Sequence, residues 1–238
     1  MLSFLTPLLF ISFVFSSEEI QWVQVDDMFV PAESLTERGL HESKARLWKN
    51  GIIPLKFDGK LTMDQQEEFL NLCNEMGEFA DVGCRIKNRK DRDYVQVLLS
   101  NANSCGSSHV GRKGGRQDLK IRCWRPRTIQ HELMHAFGLA HEHNRFDRDD
   151  HIVIQWENLK FFSRFSYTKI NLNNTGKYLK NYDFKSIMHY DSRSGSKNGK
   201  MVFYRKSLGP KNGYVKQSNV MSRGDHYILY ALYGGSRP

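Results

Sequence analysis

The chain has 238 residues, of which 39% are hydrophobic, 12% aromatic and 26% charged. That length suits one compact domain with short additions, and that composition excludes a disordered, collagen-like or coiled-coil chain. No apolar run reaches the roughly 20 residues that cross a bilayer, so no membrane span is expected. The formal net charge of +9 permits nucleic acid, anionic surfaces or acidic partners without choosing among them.

Residues 2–15 are almost wholly apolar and uncharged. They are too few to span a bilayer and lack the polar face of a buried amphipathic helix. Residues 1–16 are therefore expected to be a signal peptide, with a cut after Ser16, and the protein to be secreted. Residues 17–38 hold Glu18, Glu19, Asp26, Asp27, Glu33 and Glu37 against the single basic Arg38, which leaves residues 39–238 with 34 basic and 20 acidic residues, a net +14. An acidic segment ahead of a basic body reads as a pro-segment that covers it, and Arg38–Gly39 offers a cut to a trypsin-like protease. The competing reading is an ordinary flexible terminus.

Further along, residues 52–57 pattern as a strand, and Pro54 favours a sheet edge. Residues 62–79 pattern as a helix with Thr62 as its N-cap; Phe69, Leu72, Cys73 and Met76 share one face. Residues 94–99 are rich in strand formers, and 118–122 alternate. Residues 128–137 read as a helix stopped by Gly138. Little regular pattern appears between about 143 and 220. A last helix covers 222–232, with Ser222 and Asp225 in capping-box spacing. Asn173-Asn174-Thr175 is a glycosylation sequon at Asn173, meaningful only in a secreted chain.

Secretion makes disulfides of the four cysteines, which allow three pairings that spacing alone does not choose between. Cys105 and Cys123 flank a glycine-rich stretch and could close a hairpin-like loop, leaving Cys73 for Cys84. The alternative is an unbridged Cys73 on a buried helix face.

The stretch that carries chemistry is His131-Glu132-Leu133-Met134-His135-Ala136-Phe137-Gly138-Leu139-Ala140-His141. Positions i and i+4 share a helix face, so His131 and His135 can point nitrogens at one ion. Gly138 can take the left-handed turn that ends a helix and brings His141 round as a third ligand. Three protein ligands with an open position define a catalytic zinc site, whereas a structural site is closed by four. Glu132, beside the first ligand, is placed to take a proton from the attacking water and pass it to the leaving amine.

The extended string H-E-x-x-H-x-x-G-x-x-H with a downstream methionine turn is that of the metzincin metalloproteases. With Glu142, Arg145, Asp147, Arg148 and Asp149 following His141, and Ser186-Ile187-Met188-His189-Tyr190 downstream, the chain resembles the astacin family. Leu47-Trp48 and Ile53-Pro54 also resemble that family's domain start. The resemblance implies an α+β, two-subdomain metzincin catalytic domain over residues 39–238: a twisted mixed sheet and the zinc-binding helix above, a mostly irregular lower subdomain with a C-terminal helix below. It implies one catalytic Zn2+ held by His131, His135 and His141. Tyr190 would be an additional ligand that swings away to stabilise the oxyanion, and Met188 the floor under the metal.

Further roles come from the same resemblance. A mature N-terminus at Gly39 would reach Glu142, and a pro-segment Asp would bind the zinc in place of water. Asp27 is the better match for that switch and Asp26 the runner-up, because the usual Phe-x-Gly-Asp form is absent. Family domains also pair the cysteine at the position of Cys84 with a C-terminal one; here the chain has none, so a Cys73–Cys84 bridge would hold less of the chain and leave the C-terminal helix looser. The function expected is a secreted, monomeric zinc endopeptidase made as a zymogen, acting on proteins or peptides, with a preference for acidic or small residues just after the cut. A silent or toxin-like binding protein keeping the fold is the alternative. The basic residues around Arg85 to Arg92 read as a solvated face or a heparin-binding one, and no nucleic-acid partner is expected.

Overall fold

A mixed sheet of seven strands organises the upper half of the molecule. The computed structural model describes residues 20–35, 47–171 and 181–235. The expected signal peptide, the expected Arg38–Gly39 cut and the Asn173 sequon lie outside the described residues.

The strands are β1 (Trp22–Val25), β2 (Met28–Pro31), β3 (Ile52–Phe57), β4 (Gly83–Ile86), β5 (Tyr94–Leu99), β6 (Gly106–His109) and β7 (Arg116–Ile121). They lie side by side in the order β1-β2-β6-β7-β5-β3-β4. β4, β3, β5 and β7 run parallel, and β6 returns antiparallel to β7. Helix α1 (Met63–Glu75) starts at a full capping box, in which Thr62 accepts from the Gln65 amide and the Gln65 side chain accepts from the Thr62 amide. Its buried Phe69 and Cys73 face the sheet, together with Met76 just beyond its end. Helix α2 (Pro126–Phe137) opens with Pro at its first position, where the missing N–H costs nothing. Ile129, Leu133, Ala136 and Phe137 put it into the same core.

Pro54 does not mark an edge. β3 lies between β4 and β5. The Leu55 carbonyl accepts from Lys87 on the β4 side, so its neighbour Pro54 faces the other way, toward β5. Pairing with β5 begins only at Leu55–Val95. The absent N–H therefore falls beyond the end of that ladder, where no partner waits for it.

Two disulfides tie this half together. Cys105–Cys123 joins the start of β6 to the end of β7, and Cys73–Cys84 joins α1 to β4. The lower half has little regular structure, as its sequence suggests: a two-stranded ribbon of β8 (Ile152–Ile154) and β9 (Phe203–Arg205), several single 3-10 turns, and the four-residue helix α3 (Gly209–Asn212). Its own core contains Ile152, Leu159, Tyr167, Val202, Phe203 and Val215.

The C-terminal helix α4 (Arg223–Tyr233) is held without a disulfide. The Tyr233 hydroxyl donates to the Phe137 carbonyl at 2.8 Å, the Gly234 carbonyl accepts from Asp81 at 2.8 Å, and Ile228 and Leu229 are buried in the main core. These ties anchor the helix.

The β1–β2 hairpin extends the upper sheet and also touches the lower half. β2 adds parallel to the free edge of β6, and Val25, Met28 and Val30 pack with Val110 above and Ile170 below. The hairpin thus straps the two halves together.

Candidate metal centre

The three histidines of the α2 motif converge on one point beneath the hairpin. His131 and His135 lie on one face of α2. The helix ends at Gly138, whose φ of 112° only glycine holds without strain, and the chain doubles back to bring in His141. The ring nitrogens of His131, His135 and His141 and a carboxylate oxygen of Asp27 all lie within 4.8 Å of one another. His131 Nε2 and His141 Nε2 are 3.1 Å apart.

The hydrogen bonds around these rings settle which nitrogen faces inward. His131 Nδ1 donates to the Ile187 carbonyl at 3.0 Å and His135 Nδ1 to the Leu139 carbonyl at 2.7 Å. A carbonyl only accepts, so the proton sits on Nδ1 and each Nε2 turns a lone pair into the centre. Burial holds the His131 and His141 rings below their ordinary pKa, His141 at about 4, which keeps them neutral near pH 7. His135 Nε2 and Asp27 Oδ1 are buried with no hydrogen-bond partner. Inward lone pairs and a carboxylate cannot satisfy one another; a cation can. A tetrahedral zinc with ligands at about 2.0–2.1 Å has ligand separations of about 3.3 Å, and the Asp27–histidine separations are 3.0, 3.5 and 3.5 Å. The donor set fits zinc.

Asp27 arrives on the two-residue turn of the β1–β2 hairpin, between the paired Val25 and Met28. Asp26 takes φ 59°, in the left-handed region. It stands where the Phe-x-Gly-Asp pattern has glycine and adopts the backbone a glycine would supply. Aspartate tolerates that conformation better than most side chains. Of the two aspartates, the structure therefore brings Asp27 to the histidines.

Glu132 lies against the start of β6. A Cβ on Gly106 would come within 2.4 Å of Glu132 Oε1, so only glycine leaves room for the carboxyl group. Burial, then the charges of Asp27 and Asp26, push its pKa well above the ordinary value, and Oε2 has no hydrogen-bond partner. Met188 is buried in the main core beneath the motif. Its turn is tied to the site twice: the Ile187 carbonyl takes the His131 proton, and the Met188 carbonyl accepts from the Glu142 amide at 3.1 Å. The Tyr190 ring packs on His141 and His143, with centroids 4.8 and 3.9 Å away.

The charged residues after His141 build a buried brace. Arg145 donates to both oxygens of Asp147, at 2.9 and 2.7 Å, and to Glu142 Oε1 at 2.8 Å. Glu142 also accepts from the Asp183 amide at 2.7 Å, and burial still pushes its carboxyl up to about 7. Arg148 donates to the His143 and Tyr167 carbonyls. Gly39 lies outside the described residues, so in this structure Glu142 is seen only with Arg145 and Asp183.

Three site residues escape a reading of the sequence. Gly106 carries no local signal. Asp225 reads only as a helix cap, yet it also accepts from Ser186 Oγ at 2.6 Å and from the Ile187 amide at 2.9 Å, and so fixes the methionine turn. Arg127 is one turn before His131 on α2; its Nε donates to the Ser218 carbonyl at 2.8 Å, and its charge acts on Asp27 and Glu132. Its i, i+4 spacing to His131 was the available clue.

The peptidase family described as astacin matches residues 40–234. The chain belongs to the astacin family. The zinc metalloproteinase nas-6 of Caenorhabditis elegans is 36% identical over 163 residues, 67% of this chain and 46% of that protein. High choriolytic enzyme 1 of Oryzias latipes is 36% identical over 151 residues, 61% of this chain and 53% of that protein. The solved structure of this same astacin relative, a hatching enzyme zinc-protease, superposes with a TM-score of 0.72 at 29% identity and covers 82% of this chain and 97% of that one. Myroilysin, at 17% identity and a TM-score of 0.53, shares the fold alone. This astacin-family chain spans about half the length, or less, of the first curated relatives it matches.

Proposed function

We propose that the chain is a secreted zinc endopeptidase held latent by its own residues 17–38. The observation that carries this reading is Asp27: its carboxylate lies 3.0–3.5 Å from the inward nitrogens of all three histidines, in the position a water would need for attack. His131, His135 and His141 would hold the zinc. When bound, the metal supplies Lewis acidity, polarising the scissile carbonyl and lowering the pKa of water to about 7. Glu132, in its dry niche against Gly106, accepts the proton of the attacking water and returns it to the departing amine. The Tyr190 hydroxyl donates to the developing oxyanion.

The substrate route follows from the hairpin. The Ser108 amide donates to the Asp27 carbonyl and the Val110 amide to the Phe29 carbonyl, both at 2.9 Å. With the hairpin gone, these donors at the β6 edge face an open cleft and take an extended peptide as an added strand. Cleavage by a trypsin-like protease at Arg38–Gly39 would free that edge and leave Gly39 to reach Glu142. Two disulfides support an oxidising, extracellular location, and the Asn173 sequon supports a glycan there. No helix among the described residues is long and apolar enough to cross a membrane.

Casein hydrolysis by the secreted protein, before and after limited tryptic cleavage and beside Glu132→Ala, tests this. Activity that appears only after cleavage and only with Glu132 present supports it. A correctly cleaved, zinc-loaded protein that hydrolyses neither casein nor a peptide library points instead to a binding protein that keeps the fold.

A further inference from the structure

The lower half carries an exposed aromatic surface to which the proposed function gives no role. Phe161 and Phe162, consecutive residues at the entry to a 3-10 turn, are 76% and 89% exposed, with Phe165 and Trp156 beside them also exposed. Their two rings touch edge to face, 5.4 Å between centroids, and make a small projecting wedge. Single exposed apolar side chains are ordinary; four large ones within ten residues are not.

The surroundings of the wedge are cationic. Lys160 and Arg164 flank it in sequence and are exposed. A second segment, 193–200, is locked alongside. The Lys160 amide donates to the Gly195 carbonyl at 3.0 Å and the Lys197 amide to the Asn158 carbonyl at 2.9 Å, and Leu159 bridges Ser196. The two segments meet closely enough that a Cβ on Gly195 would lie 2.8 Å from the Ser163 Cβ. That lock adds Arg193, Lys197 and Lys200, all exposed. Among the described residues, none of these five cations has an ion-pair partner within 4 Å; Glu157 is the exposed acid on the 156–165 segment, and Asp191, near Arg193, accepts from the Tyr214 hydroxyl. Five exposed cations on two locked segments, Arg193 also lying over the Tyr214 ring, and a projecting phenyl pair have two complementary needs: an apolar phase for the rings and negative charge for the cations.

We propose that this face docks the protein onto anionic lipid, with Phe161 and Phe162 entering the headgroup–acyl boundary and Lys160, Arg164, Arg193, Lys197 and Lys200 lying over the charged headgroups. A membrane interface offers both phases at the same depth. A sulfated polysaccharide would use the cations but leave the rings in water, so the outward-pointing phenyls favour lipid. The docking adds a place of action to whatever hydrolysis the cleft performs and does not depend on it.

The test is co-sedimentation of the full chain with phosphatidylcholine vesicles, with and without phosphatidylserine, over a salt series. Binding is expected to the anionic vesicles and to fall as salt rises. The Phe161→Ser/Phe162→Ser pair should weaken it by about tenfold or more, and Lys197→Glu/Lys200→Glu should weaken it comparably, while casein hydrolysis and thermal melting stay as in the wild type. Vesicle binding untouched by the phenylalanine pair would overturn the proposal. So would retention on heparin without vesicle binding, which would make the face a polyanion site, and so would absence of binding to either vesicle.

Discussion

The Asp27 carboxylate lies 3.0 Å from His141 Nε2, closer than to either histidine of helix α2. The contact joins the tip of the strapping hairpin to the residue that Gly138 turns into the site. Asp27→Ala is expected to release latency: uncleaved protein should gain measurable casein hydrolysis. Asp26→Gly should act the other way. It relieves a left-handed backbone worth about 1–2 kcal/mol and removes a carboxylate beside Asp27. Slower activation by trypsin, at unchanged activity once cleaved, is the expected readout. Unchanged latency in Asp27→Ala would count against the switch.

Gly106 should prove as sensitive as a ligand although it touches no metal. Its Cβ would overlap the Glu132 carboxyl group. Gly106→Ala is expected to cut kcat after activation by about a hundredfold or more, on the scale of losing a general base, while bound zinc and melting temperature change little. A proportionate loss of zinc would show that the histidines had moved instead.

Asp225 links the C-terminal helix to the first ligand. It caps α4 through the Ser222 amide at 2.8 Å and holds Ser186 and Ile187, whose carbonyl orients His131. Asp225→Ala leaves two buried donors and the half-buried Ser222 amide without their acceptor, so a cost of about 2–4 kcal/mol is expected from urea unfolding. Zinc affinity should fall too, by about 10- to 100-fold as for other partners of metal-bound histidines. Lost stability with intact zinc affinity would reduce Asp225 to a cap.

His109 makes the strap sensitive to pH. Its ring stacks on Phe29 at 4.8 Å and meets Trp22 edge-on at 5.0 Å, so both hairpin strands cover it. Burial, then the charge of Lys113, pushes its pKa down to about 4, with Lys120 adding to the effect and Asp118 opposing it. A lowered histidine pKa means that the docked state favours the neutral ring. Docking is then at full strength above about pH 6.5 and weakens as pH falls toward 4, because the undocked ring protonates first. Hydrogen exchange of the β2 amides should accelerate over that window in the wild type and less so in His109→Phe. Identical profiles would remove His109 as the cause.

Local interactions made much of this protein legible in its sequence. Helices α1, α2 and α4 follow from capping residues and a 3.6-residue apolar period, which neighbouring residues settle among themselves. The turn at Gly138 and the irregular lower half are legible for the same reason. The resemblance to the astacin family rests on such short, locally spaced strings, and so do the three histidines and Glu132. Contacts remote in sequence were decided only by the tertiary structure. The four-residue strands β1, β2, β4 and β6 are too short to show alternation, and each exists because a neighbouring strand supplies its partners. The two disulfides were open to three pairings until α1 met β4 and β6 met β7. Pro54 sits inside the sheet because the β5 ladder begins one residue later, a matter of register. Asp27 over Asp26, the room at Gly106 and the reach of Asp225 each depend on groups dozens of residues away being brought within a few ångströms. Spacing along a chain specifies which side chains can share a face; only packing specifies what that face meets.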